Sequence, residues 1–179
     1  QPEELWVSDI TYLRLNGKNA YLALVTDAYS KQIMGFHVAT NMKASLSIEA
    51  LKMALKNRKY PNRKLIHHSD RGFHYCWPEY VKMLQDNDIL ISMTEQYDPY
   101  ENALAERINK TMKYEFGLNQ TIPNKTMAQK MVRRAVKIYN TLRPHDSLKG
   151  KTPVSVHLNA DMPYKSYRRN KEIIYLNLN

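Results

Sequence analysis

The chain has 179 residues, 43% hydrophobic and 25% charged. This is ordinary globular composition, enough for one domain with a real core, and no run approaches the roughly 18 apolar residues of a membrane span. The net charge of +10 is uneven: residues 1–100 carry 12 Lys+Arg against 11 Asp+Glu, and residues 101–179 carry 15 against 6. Such asymmetry predicts a basic surface facing a polyanion, nucleic acid before others. The single cysteine, Cys76, excludes an internal disulfide and suits a reducing cytosol. The chain opens at Gln1 without a signal-peptide pattern, and the expectation is a piece of a longer protein.

In chain order, Leu5–Leu15 is β-branched and aromatic without a helical period, and Asn16-Gly17 is a hairpin signal leading to a return strand over Tyr21–Asp27. A turn at 28–31 leads to Ile33–Ala39, completing a three-stranded antiparallel meander. From Ser45, a candidate cap, Leu46, Ala50, Leu51, Ala54 and Leu55 follow a helical period. After Pro61 the apolar run in Lys64–Asp70 is a short strand ending at an acid, with Gly72 just beyond. A right-handed crossover would set this strand beside the first, near Asp9. Trp77-Pro78-Glu79 opens a second helix, Ile89–Met93 is a last strand, and Thr94–Pro99 is a polar loop. Helices follow over about Glu101–Phe116 and Lys125–Tyr139, the latter with Met127, Met131, Ala135 and Ile138 on its apolar face. Residues 164–179 are basic and then apolar, a tail or a further strand.

Three acids draw attention together. Asp9 sits inside the first strand among apolar neighbours, where a carboxylate is costly without a partner or a metal. Asp70 stands at a strand's carboxyl end, where open α/β sheets build sites, although Asp before Gly is also ordinary turn chemistry. Glu106 shares a helix face with Asn102, Lys110 and Lys113. A plain ion pair of Glu106 with Lys110 accounts for that spacing alone; an acid within a basic stripe also suits a metal beside phosphates. Three carboxylates without His or Cys ligands select a hard cation, Mg²⁺ or Mn²⁺, and two such ions roughly 3.5–4 Å apart serve an in-line displacement. His67 is read as core and His68 as an orienting group. Asp27 is read as turn chemistry.

The blocks Trp6–Tyr12, His67–Gly72, Glu101–Glu106 and Tyr139–Leu148, with thirty-five residues between Asp70 and Glu106, resemble the bacterial insertion-sequence transposases with a retroviral-integrase-type core. The resemblance covers roughly residues 4 to 158. It implies a ribonuclease H-like α/β fold, a five-stranded mixed sheet flanked by helices, with Asp9, Asp70 and Glu106 as a metal-binding catalytic triad. Two Mg²⁺ (or Mn²⁺) ions in the active complex, DNA ends and target DNA as partners, a homo-oligomer on DNA, and a bacterial cytoplasmic, nucleoid-associated location follow from it. So does a division into a core (1–158) and a basic extension (159–179), with the DNA-recognition region that usually precedes such cores absent from this chain. The Pro153-bearing segment is a family feature without an assigned role. Phe73-His74 departs from the small polar residue and Gln common in relatives.

The expected activity is metal-dependent nicking followed by attack of the freed 3′-hydroxyl on a target phosphodiester. Asn102, Lys110, Lys113, Arg143 and Lys149 are the candidate DNA contacts, with Asn140–Leu148 equally readable as a structural turn. The alternatives are a ribonuclease H-like nuclease that cleaves without joining and a non-catalytic DNA-binding module.

Overall fold

A computed structural model describes residues 1–94 and 102–159. The expected loop over Thr94–Pro99, Glu101, and the basic extension beyond residue 159 therefore lie almost wholly outside the described residues. Five strands, β1 (Leu5–Leu15), β2 (Lys18–Asp27), β3 (Ile33–Ala39), β4 (Leu65–Ser69) and β5 (Ile89–Met93), form one mixed sheet in the order β3-β2-β1-β4-β5. The hairpin closes between Leu15 and Lys18, so β2 begins three residues before the stretch that composition marks, and Gly17 turns it at φ 71°. β4 lies parallel beside β1, as the crossover rule predicts, and β5 parallel beside β4.

Alternation along β1 divides the molecule into two layers. Trp6 faces α1 (Ala44–Lys56) and α2 (Pro78–Gln85) with Leu46, Leu51, Ala54, Tyr80 and Leu84. Leu13 and Leu15 face α3 (Ala103–Glu115) and α4 (Lys125–Thr141), together with Leu22, Ile108, Met112, Val132 and Tyr139. Helix α5 (Pro153–Leu158) closes the lower edge, with Val156 against Tyr29 and Leu148. Its Pro at the first position and the Thr152 side chain accepting from Ser155 N–H give the Pro153 segment a local role as a helix start.

Three expectations are corrected. Ser45 does not cap α1; the helix starts at Ala44 from Lys43, which makes no side-chain cap bond. The buried stripe of α4 is Ala128, Val132, Ala135, Val136 and Tyr139, so only Ala135 of the expected face is in it, and Met127 points out with 43% exposure. Small residues let α4 settle close onto the sheet, a gain that a count of methionines does not register. The Asn140–Leu148 stretch, read as a structural turn, begins inside α4: the Asn140 amide pairs with Ile33, accepting from the N–H and donating to the C=O, both at 2.9 Å, and so covers part of the free edge of β3.

Gly35 of β3 lies under α1 so closely that a Cβ there would collide with the Ala50 carbonyl and stand 2.6 Å from Ala54 N. Gly35→Ala must push α1 off the sheet, and a loss of about 3 kcal/mol is expected from overpacking against backbone. Urea unfolding followed by circular dichroism measures it; a variant with an unchanged midpoint would show that α1 does not need this approach.

Candidate active site

The register of β1 and β4 brings the acids near one another. Val7 pairs with His68, and continuing that register sets Asp70, one residue past β4, beside Asp9. Neighbouring strands lie about 4.8 Å apart, and alternation turns both positions to the α3 face with Val7. Helix α3 lays its first turn over the same face, where Ala105 packs on Val7, and Glu106 projects from that turn. Asp9, Thr11, Glu106, Asn109, Lys110, Lys113 and Tyr114 line an open cavity of about 300 Å³.

Asp9 is held tightly. One carboxylate oxygen accepts from Ile10 N–H at 2.8 Å and the other from the Asn109 amide at 2.8 Å. Burial pushes its pKa up to about 6; these two bonds oppose the shift, and the charges of Asp70 and Glu106 reinforce it. Asn109 was not a candidate in the sequence. Its position three residues after Glu106 puts it on the same helix face, and that spacing was the signal available for it. Its Oδ1 is buried without a partner among the described residues.

Asp70 does not line the cavity. Its Oδ1 accepts from Gly72 N–H at 2.8 Å, so the Asp-Gly turn chemistry is real and coexists with the charge that Asp9 feels. The three acids are thus within electrostatic reach but more widely spaced than a ligand set: among the described residues no three of His, Cys, Asp or Glu are gathered closely enough to hold an ion. The donor chemistry still fits a hard divalent cation, because Asp9 is a part-buried carboxylate whose nearest charges are two further carboxylates.

The remaining candidates divide. Lys110 is exposed and Lys113 half-buried, both at the cavity; the ion pair of Glu106 with Lys110 that the spacing allows is not formed among the described residues. Asn102 is corrected: it is 8% exposed, and its amide donates to the Ser8 carbonyl at 3.1 Å, tying the start of α3 to β1. Arg143, half-buried, forks onto Glu115 through two bonds of 2.6 Å. Lys149 is exposed, in the left-handed region at φ 54°. His67 is core as expected, its Nε2 2.8 Å from Ser8 Oγ and 2.9 Å from Tyr80 Oη, with burial pushing its pKa down to about 3. His68 Nδ1 lies 2.9 Å from Ser92 Oγ, tying β4 to β5. Phe73 is 55% exposed and stacks on His74, with ring centroids 4.2 Å apart. Cys76 is exposed.

Models of the integrase core domain family match residues 1–99 and 87–153. Transposase InsF of insertion sequence IS3A from Escherichia coli (strain K12) is 39% identical over 114 residues, which covers 64% of this chain and 39% of the relative. The chain thus spans about two fifths of the length of the curated relatives it matches. In fold it is similar to the simian T-cell lymphotropic virus intasome in complex with a PP2A regulatory subunit (TM-score 0.73, 21% identity, covering 95% of this chain and 59% of that one). It is similar too to the HTLV-2 integrase catalytic core domain in complex with magnesium (TM-score 0.67, 19% identity, covering 87% and 97%). Among the described residues no helix is long and apolar enough to cross a membrane. The chain belongs to the integrase core domain family and has the ribonuclease H-like fold of retroviral integrase catalytic core domains.

Proposed function

We propose that this domain cuts and joins DNA at the ends of an insertion sequence, with Asp9, Asp70 and Glu106 as its catalytic carboxylates. What supports this reading is that Asp9 and Glu106, far apart in the chain, line one cavity with Lys110 and Lys113, while Asp70 lies near enough for its charge to raise the Asp9 pKa. The three carboxylates would hold Mg²⁺ or Mn²⁺, two ions in the active complex, and the metal when bound supplies charge neutralisation for displacement at a phosphodiester. The chain's own residues do the positioning. Asn109 fixes the Asp9 carboxylate through its 2.8 Å bond, while Lys110 and Lys113 hold phosphate oxygens of the DNA backbone, with Lys149 a more distant contact. Positioning and electrostatics carry most of the barrier lowering in such phosphoryl transfers.

Residues 1–158 act as the core and 159–179 as a basic extension, in the bacterial cytoplasm on the nucleoid. Joining two element ends to one target requires a homo-oligomer on DNA. The test is strand transfer from a pre-nicked element-end oligonucleotide into a plasmid. Joined product is expected with Mg²⁺ or Mn²⁺ and none with chelator. Metal-dependent nicking without joining would replace the transposase reading by a nuclease, and metal-independent product would overturn the carboxylate assignment.

A further inference from the structure

Helix α4 carries five cations, Lys125, Lys130, Arg133, Arg134 and Lys137, and no acid in 17 residues. Lys130, Arg133, Arg134 and Lys137 stand at i, i+3, i+4 and i+7, all exposed and diametrically opposite the buried Ala128, Val132, Ala135, Val136 and Tyr139. Each of the four therefore has like charges three or four residues away, which opposes the helix. Two exposed lysines on other helices are balanced within a turn: Lys52 bonds Glu49 at 2.8 Å and Lys82 bonds Asp86 at 2.8 Å. The α4 cations have no carboxylate partner among the described residues. None lines the catalytic cavity, yet α4 lies on the same face of the sheet as α3, displaced to the β3 edge.

We infer that the outer face of α4 is a second docking track for the phosphate backbone of duplex DNA, outside the catalytic cavity. This rests on the reading of the domain as DNA-acting. The stripe runs for about 10 Å along the helix axis at 1.5 Å per residue, a length in which one strand of a duplex presents about three phosphates. Two arginines among the four suit forked phosphate contacts. Backbone charge without base-reading amides implies binding indifferent to sequence. A second copy of the chain is a poor occupant of this face, since stacking it on itself would oppose four cations to four.

The test is the salt dependence of binding to a 30-base-pair duplex of arbitrary sequence, followed by fluorescence anisotropy. It compares the full chain with K130Q/R133Q/R134Q/K137Q and with the single control Lys52→Gln. The quadruple variant is expected to flatten the slope of log K against log salt by about 3, at roughly 0.9 per lost phosphate. The control should keep the parent slope, and the variant's thermal midpoint should not fall, because removing mutual repulsion does not weaken the helix. A parent slope retained by a folded quadruple variant overturns the α4 track and leaves the DNA-joining reading intact. Absence of any salt-dependent duplex binding by the parent chain overturns both.

Discussion

Asp9→Asn is expected to abolish strand transfer, by several orders of magnitude in rate, while making the metal-free protein more stable. The two effects have one cause. Asp9 titrates near 6 in the folded chain against an ordinary 3.8, because burial and then the charges of Asp70 and Glu106 disfavour its anion. A group whose folded pKa is raised contributes stability that is present below about 3.8 and lost as pH climbs through 6. At pH 7.5 the metal-free domain therefore carries a burden of about 3 kcal/mol from this carboxylate, at 1.36 kcal/mol per pKa unit. An uncharged isostere removes it. The Asn109 amide, whose Oδ1 has no partner among the described residues, can flip to accept from the new NH₂. A gain of about 1–3 kcal/mol in urea unfolding at pH 7.5 is expected, shrinking towards pH 4. Mg²⁺ should raise the midpoint of the parent and leave that of the variant nearly unmoved. An Asp9→Asn protein that joins DNA at the parental rate would remove Asp9 from the catalytic set. A variant less stable than the parent at neutral pH would show that the carboxylate is satisfied without metal.

Strand-level features of this core were legible because they rest on short-range signals. The turn at Gly17, the alternation in β1 and the acid ending β4 each come from a few neighbouring residues, and the crossover rule then places Asp70 beside Asp9 without further information. The thirty-five-residue gap added Glu106 by resemblance, and the α3 geometry accommodates it. What escaped was the work of amide side chains. Asn109 on Asp9, Asn102 on Ser8 and Asn140 on Ile33 are long-range bonds between polar groups, and apart from the Glu106–Asn109 spacing no period in the sequence registers them. The pairing of Arg143 with Glu115, 28 residues away, escaped in the same way. The expected face of α4 is rotated for another reason: Ala128, Val132 and Ala135 take buried positions where the helix meets the sheet, Met131 packs only partly against the core, and Met127 points out.

The same limitation hid a buried ionic cluster on which the second large effect depends. Asp27, expected to be turn chemistry, does accept from Ser30 N–H at 2.8 Å and Ser30 Oγ at 2.7 Å, but its other oxygen accepts from Glu3 N–H at 2.6 Å. Glu3, at φ 62°, turns its carboxylate to the N–H groups of Lys59 and Tyr60 and to His157 Nε2 at 3.1 Å. His157 Nδ1 reaches Ser30 Oγ at 2.9 Å and lies 3.7 Å from Asp27. Glu3, Asp27, Ser30 and His157 are all 0% exposed. A serine, a histidine and two acids in this order resemble a hydrolytic arrangement, yet with no access for substrate they form a lock, joining the chain start, the β2–β3 turn and α5. Burial opposes the imidazolium, but the carboxylates of Asp27 and Glu3 outweigh it and push His157 up to about 9. Burial likewise opposes the Glu3 anion, and the His157 bond with the two backbone N–H groups holds its pKa below 4.5.

His157→Gln removes the imidazolium that Asp27 and Glu3 share, leaving Glu3, among the described residues, only the Arg58 guanidinium at 3.5 Å, and a loss of about 3 kcal/mol is expected. The pH profile distinguishes this from loss of packing. The His157 contribution is complete below 6.5 and is lost as pH rises through 9, about 3 kcal/mol in all. The Glu3 contribution is present above 4.5 and is lost as pH falls below it. The stability gap between parent and variant should therefore narrow between pH 7 and 9.5; taking the gap cancels Lys31, whose pKa burial lowers to about 8 and which raises the stability of both proteins over the same range. A variant that unfolds at the parental urea midpoint, or a gap between the two proteins that stays constant over that range, would show that the histidine is neutral in the folded chain.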